Sequence, residues 1–470
     1  MPNEMPTRAI TLGGGGPAAG LHIGVLEALA NATPPINFDV WSLSCIGAWV
    51  GIVYNQSNKK TAREKVEETY EFFRNGVFRD DEDYERFPIN TVFGPDWRSN
   101  IDAFNKFVGD PKNYRDFQFQ PYRIFEFIQD SLSIVMNQLP AGDKPFRKLD
   151  EGDLNRWILN QVMAPNPFIR YLTSLMYLSK VNGLSRINYP DSEFMRKIRF
   201  DRLPEAEPFI FHNAWDLDHH ELAFFANRPM TVTNASDGGS IKKRYGGAIT
   251  AQSLCACSAL PFIEETVEID RTTYCEGALV DTVNFEGLVD LHVGERKIDE
   301  IWISRIVDSK QVRKPENLHD ALANLCQLFA ASVGEDDVKL FKYHVRYDRQ
   351  SRTVSKGNVT RNQNSKKAKA EPSTADNSRG LNSNDEWNGT VVEIHVPGHI
   401  NFKWNHANLD NGRRLGREAA EQAIKQYRKH RDAPHPDAPL FINEKPEEDA
   451  EWRRIRDDYC NLRKAQAECN

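Results

Sequence analysis

The sequence predicts an α/β fold: a central, mostly parallel sheet interrupted by a large helical insertion. Three observations carry that expectation. Two strand–loop–helix units fill the first 55 residues, apolar strand-like runs return only beyond residue 205, and an aromatic, helix-patterned stretch separates them.

The first unit opens with Ala9-Ile10-Thr11-Leu12, breaks at Gly13 to Gly16, and continues with Leu21, Val25 and Leu29 at helical i, i+4 spacing. The second reads Phe38 to Ser44 as a strand and Gly47 to Gly51 as the opening of a helix. Parallel neighbours need a long crossover, most often a helix, so this alternation starts a parallel sheet. Residues 56–204 break the rhythm. They are rich in aromatics (Phe72, Phe73, Phe78, Phe87, Phe93, Trp97) and carry one apolar stripe, Phe125, Ile128, Leu132, Val135 and Leu139. A second dense segment runs from Phe168 to Leu178. The stripe is read as core, with a lid or acyl-chain tunnel as its alternative. Strands return at Phe209 to His212, Ile301 to Ile303 and Thr390 to Val396, and a last helix is expected around Gly416 to His430. The expected organisation is a discontinuous core over 8–55 and 205–430 and a helical insertion or cap over 56–204. A disordered basic loop over 350–387, containing Lys366, Lys367 and Lys369, and a charged tail over 431–470 complete it.

Composition excludes several classes of function. With 60 Lys and Arg against 67 Asp and Glu, the net charge is −7, so no overall basic field attracts nucleic acid. No apolar run approaches the roughly 20 residues of a membrane-spanning helix. The opening MPNEMPTRAITLGGGG shows no apolar signal region, and the seven cysteines form no CxxC pair. A cytoplasmic protein, peripheral to membranes at most, is the expectation.

Three segments carry the chemistry. Gly13 to Gly16 lie between a strand and a helix, where backbone N–H groups can cradle a phosphate or stabilise an oxyanion; a plain tight turn is the alternative. The segment lacks the GK[ST] ending of a P-loop. Leu43-Ser44-Cys45-Ile46-Gly47 has the strand-to-helix turn of a nucleophile elbow, with Cys45 at the apex and Gly47 as its supporting glycine. A thiol at a helix N-terminus is expected to have a lowered pKa and to alkylate faster than Cys255, Cys257, Cys275 or Cys326; an inert buried thiol is the alternative. Downstream, Glu276-Gly277-Ala278 can present a carboxylate at a strand end, or be a turn with a solvated acid. Asp216, Asp218, His219 and His220 raise a metal site, but adjacent His residues in a strand face opposite sides and a hairpin turn is expected instead. His22 is expected to pack within the first helix.

Taken in order, these segments resemble the patatin-like phospholipase family. Leu12 to Ala18, running on through His22-Ile23-Gly24-Val25-Leu26, is similar to its glycine-rich oxyanion loop. Ser44 to Gly51 is similar to its G-x-S-x-G elbow, and Cys257 to Ala278 to the approach to its D-G-[GA] motif. Asn213 to Asp218 resembles a strand and turn that precedes that motif. The resemblance implies a three-layer fold and an acyl hydrolase or acyltransferase acting on lipid esters or thioesters. Cys45 stands where that family has its nucleophilic Ser, Glu276 where it has the Asp base, and Gly14, Gly15 and Gly16 where it has the oxyanion donors. Leu43 replaces the first elbow glycine and Ala18 the basic residue of the loop. No cofactor or metal is implied; the implied partner is a lipid or acyl-ester substrate, with contact at a lipid surface. The alternative is a lipid-binding or scaffold protein that kept the fold without the activity.

Overall fold

The computed structural model describes residues 6–86, 93–95, 97–109, 183–187, 192–232, 242–285, 287–288, 292–293, 296–305, 308, 312–316, 318–361, 389–396, 398, 400–431, 440–446, 450–451 and 453–454. The chain divides into two compact units, Met1–Gly94 with Ile187–Asn470, and Pro95–Arg186. The second unit contains a helix over Trp97–Gly109. The stripe from Phe125 to Leu139 and the segment from Phe168 to Leu178 lie outside the described residues.

The first unit is a ten-stranded sheet flanked by helices. Strand β1 (Arg8–Leu12) leads through the glycine loop into helix α1 (Ala19–Asn31), and β2 (Val40–Leu43) turns into α2 (Ile46–Asn55). Helix α3 (Ala62–Gly76) follows, then β3 (Phe209–Asp216), β4 (Glu221–Ala226), β5 (Lys243–Ala248) and α4 (Ala251–Cys257). Next come β6 (Val267–Ile269), β7 (Thr272–Glu276), β8 (Glu300–Arg305) and the long α5 (Leu318–Arg361). The chain closes with β9 (Thr390–His395), α6 (His406–Arg431) and β10 (Leu440–Ile442). The order β10-β9-β8-β1-β2-β3 is parallel throughout; β7, then β6, continue it in antiparallel pairing, and β4 and β5 branch from β3. Strand β3 is shared along its length: Phe209–His212 pair with β2, and Ala214–Asp216 with β7. That sharing brings the end of β7 beside the end of β2, where the two predicted chemical residues sit.

Burial explains the layers. Strands β1 and β2 are buried on both faces, so they read as continuous apolar runs, as the centre of a parallel sheet must. Helices α1 and α6 cross closely because Gly24 faces the backbone of Arg413 and Gly416 that of Leu21; a Cβ at either would collide with a carbonyl oxygen. Arg413 also pairs with Glu27 of α1 at 2.7 Å across this crossing. On the opposite face, α5 is tied to the sheet by Lys342, which pairs with Glu393 of β9, itself 3.1 Å from Arg305 of β8. A fully buried carboxylate is tolerable only with such partners.

Three boundary expectations need correction. Helix α3 buries Val66 and Phe73 in the main core, so the first unit extends to Gly94, well past residue 55. The basic segment is helical through Arg361, where a loop from 350 was expected; its remainder lies outside the described residues. The tail contributes β10, which pairs in parallel with β9 at Thr390–Val392.

Candidate active site

The site is built from three chain turns at the ends of β1, β2 and β7. Beyond Leu43 the chain turns sharply, and Cys45 adopts φ 47° and ψ −123° at the N-terminus of α2. A non-glycine residue at positive φ is uncommon, and such strain persists only where the surroundings impose it. Here Ser44 N donates to Leu12 O at 2.9 Å, and Gly47 N to Ser44 O at 2.9 Å. Gly47 is obligatory, because a Cβ there would collide with the Leu12 carbonyl. The Cys45 backbone N–H donates to Cys257 Sγ at 3.1 Å.

Glu276 closes β7 opposite Ala214 of β3, and its N–H donates to Ala259 O at 3.0 Å. Its carboxylate lies beside the Cys45 thiol, close enough that each group shifts the other's pKa. Gly14 lies against both groups: a Cβ on it would sit 3.1 Å from Cys45 Cβ, 3.0 Å from Ala278 Cβ and 3.7 Å from Glu276 Oε1. The fold thus brings the glycine loop, Cys45 and Glu276 together. Of the three oxyanion candidates, Gly14 commits its N–H to Thr282 O at 3.3 Å. Among the described residues, the amides of Gly15 and Gly16 have no hydrogen-bond acceptor, and both residues are half-buried. The left-handed residue of the loop is Gly16, at φ +58°, where a Cβ would collide with the Phe402 ring.

The electrostatics correct the expected lowering of the thiol pKa. Cys45 is 9% exposed and Glu276 6% exposed. Burial first, then the charge of Glu276, push the Cys45 thiol well above its ordinary range. The same burial raises Glu276 to about 7, against the pull of the Cys45 hydrogen bond. The helix N-terminus contributes too little to offset desolvation beside a carboxylate. Cys45 therefore rests as a thiol beside a carboxyl group that titrates near neutrality. Cys255, Cys257 and Cys275 are also buried, with raised pKa values, whereas Cys326 on α5 is the most accessible of the described cysteines. Brief iodoacetamide treatment at neutral pH, mapped by mass spectrometry, should label Cys326 ahead of the other four. Labelling Cys45 first would contradict its burial.

Several supporting residues carry no signal in isolation. Asn213 of β3 accepts from Ser44 Oγ at 2.9 Å and donates to Asp281 O at 2.8 Å, bridging the elbow to the segment after Glu276. Glu264 is a second buried carboxylate whose pKa is raised by burial and by Glu276. Asp281 is buried and accepts from Phe285 N at 3.0 Å. His22 is buried, with its Nε2 2.9 Å from Gly13 O and its Nδ1 3.2 Å from Ser304 Oγ. The only sequence signal for Asn213 or His22 is its place within the family-like segments.

Asp216 and Glu221 flank the predicted hairpin, with His220 at φ 56° in its turn. Asp216, His219 and Glu221 converge closely enough to ligate an ion. The Arg244 guanidinium already pairs with Asp216 at 2.7 Å and with Glu221 at 2.7 Å, satisfying those carboxylates with a positive charge.

A strained strand-to-helix turn bearing a thiol, a buried carboxylate beside it and a glycine loop alongside are the parts from which acyl-hydrolase sites on α/β sheets are built. The family model described as patatin-like phospholipase matches residues 10–289, spanning β1 through the segment beyond Glu276, and the chain belongs to that family. Membership places it among lipid acyl hydrolases. No curated protein matches the sequence. Among solved structures, VipD from Legionella pneumophila is similar at 13% identity and a TM-score of 0.32, over 90% of this chain and 67% of that one.

Proposed function

We propose that the protein hydrolyses lipid acyl esters or thioesters with Cys45 as nucleophile and Glu276 as base. The observation that carries this reading is the Cys45 thiol at a strained elbow, beside a buried carboxylate and flanked by uncommitted glycine amides.

In the first step, Cys45 Sγ bonds to the acyl carbonyl carbon as its proton passes to Glu276. The amides of Gly15 and Gly16 take the oxyanion. Collapse expels the alcohol or thiol, which recovers the proton from Glu276 and leaves an acyl-thioester on Cys45. Water then enters, Glu276 accepts its proton, and the acid leaves with Cys45 restored as a thiol. Another hydroxyl acceptor in place of water would give acyl transfer by the same route. No metal or cofactor takes part in this scheme.

Because Glu276 must be ionised to accept the proton, kcat/KM should rise with pH through about 7. A protonated Glu276 below that point has no room for the proton of Cys45. The test is turnover on p-nitrophenyl esters, acyl-CoAs and phospholipids across pH, alongside liposome co-sedimentation. Turnover that disappears in Cys45→Ala supports the assignment. Saturable lipid binding without turnover on any substrate, unchanged in Cys45→Ala, would establish the scaffold instead.

A further inference from the structure

The Gly13–Gly14 peptide of the oxyanion loop is held from both sides. Its carbonyl oxygen lies 2.9 Å from Nε2 of His22 on α1, and its N–H donates to Thr282 O at 3.3 Å on the opposite side. A carbonyl oxygen can only accept, so Nε2 must carry the proton. In a neutral imidazole Nδ1 is then an acceptor, and the Ser304 hydroxyl, 3.2 Å away, donates to it. Ser304 belongs to β8, the strand beside β1, and is buried, as His22 is at 0% exposure. Burial lowers the His22 pKa to about 4, so the ring stays neutral at pH 7. A buried polar side chain placed in a core helix is costly unless its hydrogen bonds are satisfied, and here both ring nitrogens are.

We propose that His22 is the positioning residue of the oxyanion loop. Its imidazole, anchored at Nδ1 by Ser304, fixes the Gly13–Gly14 peptide so that the next amides, Gly15 and Gly16, face an acyl group on Cys45. The inference rests on the Cys45 reading above and adds to it the element that orients the donors. The ring touches neither substrate nor nucleophile; it acts through the loop. Loss of its N–H leaves the Gly13 carbonyl without that partner, and the peptide is free to rotate its donors away.

The experiment pairs steady-state kinetics with a trifluoromethyl ketone, whose adduct on Cys45 carries an oxyanion-like oxygen and so reads the donors directly. His22→Leu should lower kcat roughly 10²-fold and raise the ketone Ki in proportion, with KM changed less than about three-fold. His22→Gln supplies an amide N–H for the same carbonyl and should recover to within about ten-fold of wild type. Ser304→Ala keeps the ring and its Nε2–H, which the Gly13 carbonyl selects, but removes the partner that anchors Nδ1, and should fall between wild type and His22→Leu. Independently of turnover, the imidazole ¹⁵N spectrum of the wild type at pH 7 should show Nε2 protonated and Nδ1 unprotonated.

An Nδ1–H ring, or His22→Leu and His22→Gln losing kcat equally, would overturn the role. So would His22→Leu losing stability with kcat and ketone affinity intact. Should His22→Leu not fold, Ser304→Ala decides: wild-type turnover together with wild-type ketone affinity overturns it. Absence of both turnover and a Cys45–ketone adduct in the wild type would instead overturn the Cys45 reading, and the role of His22 with it.

Discussion

Glu276→Gln should lower turnover by roughly 10²–10⁴-fold and, at pH 8, should raise thermal stability. The first effect follows from the base. Glutamine fills the same space and can accept the Cys45 hydrogen bond, but it cannot take the proton as the thiol attacks. The second follows from linkage. The folded-state pKa of Glu276 stands near 7, above its ordinary 4.5. Between those values the folded state holds a proton that the unfolded state has released, so stability falls as pH rises and the cost is complete above about 7. The shift corresponds to about 3 kcal/mol at most, which the neutral amide removes. Activity and stability thus move in opposite directions, as they do where a site stores unfavourable burial for chemistry. Asp281→Asn is the comparison. Its Oδ1 would still accept from Phe285 N, so turnover should stay within about ten-fold of wild type. Esterase rates and melting curves at pH 5 and 8 test both halves. A larger kinetic loss in Asp281→Asn than in Glu276→Gln would show that the base has been misassigned.

Gly14→Ala should cost roughly 3 kcal/mol of transition-state stabilisation, about 10²-fold or more in kcat, with lipid binding retained. The added methyl would sit 3.0 Å from Ala278 Cβ and 3.1 Å from Cys45 Cβ, tighter than atoms pack without shifting. Relief requires moving either Cys45 off Glu276 or the loop away from the nucleophile, and both misplace the reacting groups. Gly14 is a better test position than Gly15, because the blocked contact is on the nucleophile itself. Liposome co-sedimentation run with the kinetics separates the outcomes. Parallel loss of binding and turnover would point to a collapsed fold, whereas wild-type kcat would show that the loop is not at the reacting centre.

Much of this architecture was legible in local patterns, and the exceptions have physical causes. The two opening strand–loop–helix units, the hairpin at Asp216 to His220 and the strands around Ile210, Trp302 and Val392 follow from apolar runs and turn residues. Helix α6 starts at His406, well ahead of Gly416, and its Gly412 and Gly416 lie inside it where it packs against the backbone of α1 at Gly20 and Leu21. Strand β10 is three residues in a charged context and becomes a strand only by pairing with β9. Helix α5 runs on through a polar stretch that, as a pattern, resembles a loop.

The sequence by itself determined which residues could do chemistry here: a thiol at a strand-to-helix turn, a glycine run after a strand, and an acid at a strand end. Each is a local matter of backbone geometry and side-chain type. Only the tertiary structure decided how they act. The sharing of β3 between β2 and β7 sets Glu276 beside Cys45, and the loop that follows β1, next to β2 in the sheet, sets Gly14 against both. Desolvation then keeps Cys45 a thiol, not a preformed thiolate, and lifts Glu276 to about 7, the state in which the proposed mechanism uses the pair. A pKa depends on everything that surrounds a group and excludes water from it, and those surroundings come from distant parts of the chain.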